Sequence, residues 1–336
     1  MSLASVDRSW ALGEAVSLRT AFGQALCETA ARREDFVLLD ADVASGTGAK
    51  PFLERFPERT IQFGIAEQNL MAAAAGLAST GLIPVVSTFA VFGVMRAHEQ
   101  FRTAVAYPRR GVKLCCSHLG VDVGPDGATA QMLEDLAVMR SIPNVTVLVP
   151  ADANAMLRAF PLTLETEGPV YMRIGRSPAP VIHDASVAFA VGTAIRMREG
   201  SDVTIVAAGV TIARALDAAE RLAAEGISCE VLDAFSVKPL DEATILASAA
   251  RTGGVVTAED HSVIGGLGGA VAETLVRHHP VPVEMVGVAD RFGRSGDPEK
   301  LAAHYGVDAA AIAAAVHRLL ARGSRSGQPI RRYINE

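Results

Sequence analysis

The chain has 336 residues, half of them hydrophobic and 5% aromatic, with 31 Lys and Arg against 37 Asp and Glu, a formal net charge of -6. That length accommodates two cores without disulfides or metals, and a mildly acidic chain with no basic cluster in its body has no electrostatic footprint for nucleic acid or an anionic membrane. No apolar stretch is long enough to span a bilayer and no charged-then-apolar leader opens the chain, so a cytoplasmic protein is expected. Cys27, Cys115, Cys116 and Cys229 show neither metal-ligand spacing nor a disulfide framework and read as reduced core thiols.

Along the chain, short runs rich in Val, Ile, Leu and Phe alternate with helical patterns, which predicts an α/β fold of two successive, mostly parallel domains. The first, over 14–180, has candidate strands at Phe36 to Leu39, Thr60 to Phe63, Pro84 to Thr88, Val112 to Cys116, Val145 to Val149 and Val170 to Ile174. A helix over Leu70 to Ser79 follows from the spacing of Leu70, Met71, Ala74, Leu77 and Ala78. From Gly175 to Phe189 the pattern lapses around Pro178 and Pro180, as in a connector. The second domain, over 190–322, opens with a strand at Val203 to Ala207 and a helix that Thr211 caps and Gly226 closes, its apolar face being Ile212, Ala215, Leu216, Ala219 and Leu222. Strands at Cys229 to Leu232, Val255 to Ala258 and Val283 to Val288 complete it, and a polar tail with Arg331-Arg332 occupies 323–336.

Three segments carry chemistry. In Gln62-Phe63-Gly64-Ile65-Ala66-Glu67-Gln68-Asn69 a carboxylate falls where a strand hands over to an alanine-rich helix. Desolvation there raises the proton affinity of Glu67 unless a partner holds it; a plain helix-start glutamate answering the dipole gives the same pattern. In Ser87-Thr88-Phe89-Ala90-Val91-Phe92 two aromatics three apart follow directly on a strand, which suits a flat heterocycle and equally suits a core. The glycine-rich run from Ser117-His118 to Asp126-Gly127 leaves a strand at the carboxyl edge of the sheet, where α/β folds place their sites, and offers His118 and Asp126 to a polyhydroxy ligand.

In this order, and with Asp40-Ala41-Asp42, Leu133-Glu134-Asp135-Leu136, Glu259-Asp260-His261, Gly265-Gly266-Leu267-Gly268 and Asp290-Arg291-Phe292-Gly293, these segments resemble the transketolase family over about Leu18 to Arg322. The resemblance is to its pyrimidine-binding and C-terminal domains. It implies a thiamine-diphosphate-dependent transfer of a two-carbon ketol unit between sugar phosphates. Glu67 then matches the acid that bonds the pyrimidine nitrogen N1′ and promotes proton removal from the thiazolium carbon, with His118 as the second catalytic group. Phe89 and Phe92 match the aromatic pair on the pyrimidine, and Asp42 an acidic residue near the cofactor. His118 and Asp126 match sugar-hydroxyl contacts, while Arg19 and Arg176 match arginines that grip the phosphate with a planar fork.

Two positions depart from the family pattern: Ala130 stands where His or Gln is usual, and Gly46 where many members carry a phosphate-binding Ser. Each removes a contact of roughly 1 to 3 kcal/mol, so the preferred sugar is expected to differ. The Gly-Asp-Gly and Asn block that holds the diphosphate and its metal in a full transketolase is missing. Ser45 to Pro51 is not a P-loop, and Gly265 to Gly269 has the wrong spacing for a dinucleotide fingerprint and reads as close backbone packing. No metal ligands are therefore expected in this chain. A partner, the N-terminal diphosphate-binding subunit, is expected to hold a divalent metal such as Mg, with two copies of each chain and the cofactor between unlike subunits. The alternatives are the beta subunit of a 2-oxo acid dehydrogenase's decarboxylating component, a 1-deoxyxylulose-5-phosphate synthase fragment, and a non-catalytic scaffold subunit.

Overall fold

In the computed structural model, which describes residues 9–325, fourteen strands form two main sheets and one small pair. The strands are β1 (Ala15–Ser17), β2 (Phe36–Asp40), β3 (Thr60–Gln62), β4 (Ile83–Phe89), β5 (Lys113–Ser117), β6 (Thr146–Leu148), β7 (Val170–Ile174), β8 (Pro178–Pro180), β9 (Ile195–Arg198), β10 (Val203–Ala207), β11 (Cys229–Asp233), β12 (Ser236–Lys238), β13 (Val255–Ser262) and β14 (Val283–Val288). The first sheet runs β12-β6-β7-β5-β4-β2-β3 and the second β14-β13-β10-β11-β9; all pairings within them are parallel except those of β12 and β9.

The strand period of two divides the first domain's core. Phe36, Leu38, Cys115, Met172 and Ile174 face the helices Leu18–Ala30 and Ala153–Glu165. Leu39, Leu114, Cys116 and Tyr171 face the other way, toward the helix Glu67–Ala78. That second layer continues into the second domain through Val206, Leu232, Val237 and Leu267, so one apolar cluster underlies both domains. A separate core between the second sheet and the helices Thr211–Ala224 and Ala309–Arg325 is built on Ile205, Val231, Val256, Ile312 and Val316. All four cysteines are buried and free. Among the described residues no helix is long and apolar enough to cross a membrane.

Several expectations change in detail. The alanine-rich helix begins at Glu67 itself and ends at Ala78. Thr211 is not a cap but the first helical residue after Val210; its hydroxyl donates back to the carbonyls of Ala208 (2.9 Å) and Ala258 (2.8 Å), tying the helix to β13 instead. The proline-containing connector holds β8, which pairs antiparallel with β1, an edge position that tolerates missing donors. The last helix runs to Arg325, into the predicted tail; the remainder of that tail, with Arg331-Arg332, lies outside the described residues.

The connector is anchored where the two domains meet. His183 is buried between Asp152, which accepts at 3.1 Å from its Nδ1, and Asp233 at the end of β11, 3.3 Å from its Nε2. Burial opposes a charge on this imidazole, but the two carboxylates outweigh it and lift the pKa to about 9. The chain is further stitched at β12, which leaves the second domain to pair with β6 through Ser236 opposite Leu148. Lys238 at its end donates to the carbonyls of Arg140 and Ile142.

Candidate active site

The site lies along the carboxyl ends of β2, β4 and β5 and divides into two corners. The first is made by residues within thirty positions of one another. Beyond Phe89 the chain winds as a π helix over Val91–Arg96, closed by a bond from the Ala97 amide to the Phe92 carbonyl (3.0 Å). Such wide turns are frequent at functional sites. Phe89 and Phe92 lie nearly parallel, 17° apart with centroids 5.9 Å apart. The Arg96 guanidinium covers Phe92 at 4.4 Å, and its NH1 donates to Glu67 Oε2 at 2.9 Å.

Glu67 is only 2% exposed, whereas the Arg96 side chain is 45% exposed. A carboxylate so buried needs a charged or hydrogen-bonding partner, and it has two kinds here: the Arg96 fork and the amino end of the helix Glu67–Ala78. The sequence leaves open whether a partner holds Glu67; Arg96 is that partner. It is the residue that sequence reading missed, and its signal was there, an arginine four positions after Phe92. Among the described residues no other group hydrogen-bonds to Glu67, which leaves Oε1 available.

The second corner is the loop after β5. His118 adopts a left-handed backbone (φ 64°), as does Asp42 after β2 (φ 63°), a conformation that costs a non-glycine residue about 1 kcal/mol or more and gathers at functional sites. The turn folds the imidazole onto Phe89, with centroids 3.6 Å apart and planes at 24°, so Phe89 joins the two corners. His118 Nε2 lies 3.0 Å from Asp126 Oδ2 and Nδ1 lies 2.9 Å from the Ser117 hydroxyl. Burial pushes its pKa down to about 4; Asp126 works against this, while Arg19 and Arg176 add to it. The ring is neutral at pH 7, with Nε2–H donating to Asp126 and Nδ1 accepting from Ser117.

Asp126 is shared. Arg176 approaches Oδ2 at 2.9 Å through Nε and donates to Oδ1 at 3.2 Å through NH2. Arg19 donates to the carbonyls of Arg176 (3.2 Å) and Gly46 (3.0 Å). Arg19, His118, Asp126 and Arg176 therefore form one cluster, though much of their hydrogen-bonding capacity is turned inward. Asp42 is exposed at the same sheet edge and shares no hydrogen bond or ring contact with them among the described residues.

Both departures from the family pattern have a local account. A Cβ at Gly46 would stand 2.7 Å from two ring carbons of Phe89, so the absent side chain is what lets Phe89 lie against His118. Beside Ala130, Gln131 does not substitute for the missing polar group: it is buried and donates to the Arg294 carbonyl at 3.0 Å.

Residues 14–181 match the family "Transketolase, pyrimidine binding domain" and residues 192–312 match "Transketolase, C-terminal domain". The chain belongs to the transketolase family. Among its transketolase relatives is the 6-deoxy-6-sulfo-D-fructose transketolase subunit SqwH of Clostridium sp. (strain MSTE9), 43% identical over 91% of this chain and 95% of that protein. A putative transketolase C-terminal section of Methanocaldococcus jannaschii is 41% identical over 88% of this chain and 94% of its own length. A solved structure described as "Split gene transketolase, inactive beta4 tetramer" superposes with a TM-score of 0.85 at 47% identity, covering 91% of this chain and 99% of the other. The chain is thus a transketolase-family subunit of the same extent as those proteins, and the family is thiamine-diphosphate dependent.

Proposed function

We propose that this chain, on its two domains 14–180 and 190–322, is the C-terminal subunit of a split, cytoplasmic transketolase. It works with a separate diphosphate-binding subunit, two copies of each, to move a two-carbon ketol unit from a ketose phosphate to an aldose phosphate. The observation that carries this is Glu67: an acid almost wholly buried at a helix start, one oxygen held by Arg96 and the other free, beside the parallel rings of Phe89 and Phe92.

Those residues fit the pyrimidine end of thiamine diphosphate. Glu67 would take the ring nitrogen, and the two half-buried phenylalanines would take a ring face. When bound, the cofactor supplies the carbanion chemistry of ketol transfer. The remaining tasks belong to this chain. Glu67 offers its unpaired oxygen to the heterocycle's ring nitrogen, and the aromatic pair keeps water from one side of the heterocycle. Neutral His118 can exchange its Asp126 bond for a sugar hydroxyl without a change of charge. Arg176 and Arg19 present guanidinium donors to the distal anionic end of the sugar. In this reading the diphosphate and its Mg fall to the partner, as the matching extent of SqwH and of the split-gene beta chain supports; that beta chain alone is described as an inactive tetramer.

The test is reconstitution. The purified chain is mixed with a diphosphate-binding transketolase subunit and assayed with ketose phosphates and with pyruvate. Ketol transfer by the pair and none by the chain alone is expected. Turnover by the chain alone, or decarboxylation of pyruvate by the pair, overturns the proposal.

A further inference from the structure

The tripeptide Glu259-Asp260-His261 lies in β13 of the second domain, yet all three side chains are buried and each takes up backbone N–H groups from a different element. Glu259 accepts from Leu267 (2.6 Å) and Gly268 (2.8 Å), capping the helix Leu267–His278 of its own domain; this is also what draws the glycine run close to the strand. His261 Nε2 accepts from Ala137 in the first turn of the helix Asp135–Ser141, across the domain boundary.

Asp260 does something different. Its Oδ1 accepts from the Val121 amide at 2.9 Å and its Oδ2 from the Asp122 amide at 3.0 Å, both in the middle of the 118–127 loop. Two consecutive N–H groups on one carboxylate make a short, charge-assisted clamp that fixes direction as well as distance. Gly120 shows how close the fit is: its φ is +70°, and a Cβ there would meet Asp260 Oδ2 at 2.1 Å. Arg173 at the end of β7 holds the other side of Asp260, donating to its carbonyl at 3.1 Å while pairing with Asp135 at 2.7 Å.

The clamp passes straight to the site. Asp122 Oδ2 accepts from the Ser177 amide (3.0 Å) and the Ser177 hydroxyl donates to the Asp122 carbonyl (2.7 Å). Ser177 adjoins Arg176, which meets Asp126, which meets His118. The same loop is closed from outside by the Gly296 amide on the Gly124 carbonyl (3.3 Å).

We propose that Asp260 is a positioning residue for sugar binding: the second domain, which holds none of the residues assigned to catalysis, sets the position of His118 and Asp126 by gripping the Val121 and Asp122 amides. This rests on reading the 118–127 loop as the sugar-contacting loop. Asp260→Asn is the informative change, since its amide keeps one acceptor and turns an N–H₂ against the second loop N–H. In the isolated chain, hydrogen exchange of a 118–127 peptide is expected to quicken at least tenfold, with no change over 267–278. In the assembled pair, KM for the donor ketose is expected to rise about tenfold while kcat and the thiamine diphosphate requirement stay within about twofold.

Glu259→Gln serves as the comparison, because that side chain caps only its own domain: it is expected to lower Tm and leave KM unmoved. Unchanged loop exchange in Asp260→Asn overturns the proposal, as does faster exchange with unchanged KM, or an equal rise in KM for both variants. Should Asp260→Asn not fold, Gly120→Ala drives a Cβ into the Asp260 carboxylate from the loop side, and an unchanged KM there is equally decisive. If the wild-type pair shows no ketol transfer, the functional reading has failed, and the exchange measurement still decides whether Asp260 holds the loop.

Discussion

The two corners of the site are built on different principles. Glu67, Phe89, Phe92 and Arg96 come from one strand-helix crossover of the first sheet, and every contact among them is local to that domain. The loop bearing His118 and Asp126 winds only as a short 3-10 helix, Val121–Asp126, kinked at Gly124, contains three glycines with positive φ, and is held by Asp260 and the 293–298 segment of the second domain. The corner built around Glu67 has a rigid local frame. The corner built around His118 and Asp126 has a frame set from outside, and in the proposed function that would let sugar preference change without disturbing Glu67.

That contrast can be broken or sharpened by substitution. The largest effect is expected from Glu67→Gln, which should lower ketol transfer by the pair by about 10²- to 10⁴-fold while the pair still assembles in size-exclusion chromatography. Full activity in that variant would leave the chain a scaffold. His118→Ala should act on the other corner, reducing kcat/KM for the donor ketose by roughly 10- to 100-fold, about 1 to 3 kcal/mol, with thiamine diphosphate binding by the pair unaltered. Loss of cofactor binding in that variant would show that the corners are not separable.

Arg96→Met should leave the Glu67 carboxylate buried without its partner. Because Arg96 is itself nearly half exposed, the expected loss of stability is modest, about 1 to 2 kcal/mol by urea titration of the chain alone. Glu67→Gln/Arg96→Met should recover part of it, since both charges are then gone. No loss in the single variant would mean that the helix terminus suffices to hold the acid.

The smallest effect is in pH dependence, where two buried histidines act with opposite sign. The His118 pKa is pushed below its ordinary 6.5 to about 4, so the folded chain binds fewer protons than the unfolded chain and loses stability as pH falls through that interval. The His183 pKa is raised from 6.5 to about 9, so its contribution is complete below 6.5 and is lost as pH rises toward 9. Melting temperature should peak near neutrality. His118→Gln should flatten the acid limb, and His183→Gln the alkaline one.

Much of the first corner was legible in the sequence because its partners are close along the chain: Glu67 after a strand, two phenylalanines after the next, and Arg96 at a helical interval that went unused. The core strands were legible too, since burial on both faces leaves nearly continuous apolar runs such as Val203 to Ala207, broken only by Thr204. What escaped was short or distant. β1, β8, β9 and β12 have three or four residues each and little periodicity to detect. Thr211 looked like a cap because nothing in one dimension shows that Ala258 is there to receive its hydroxyl. The inward pairing of Asp126 with Arg176 and the grip of Asp260 on the loop join residues 50 and 139 positions apart.

β12 carries a last consequence. Because a strand from the second half of the chain completes the sheet of the first, and one apolar layer passes beneath both, the halves cannot swing apart as a pair of jaws without breaking hydrogen bonds and wetting that layer. In the proposed split enzyme, this chain would therefore meet its partner as one stiff body, with both halves presented in a fixed relation.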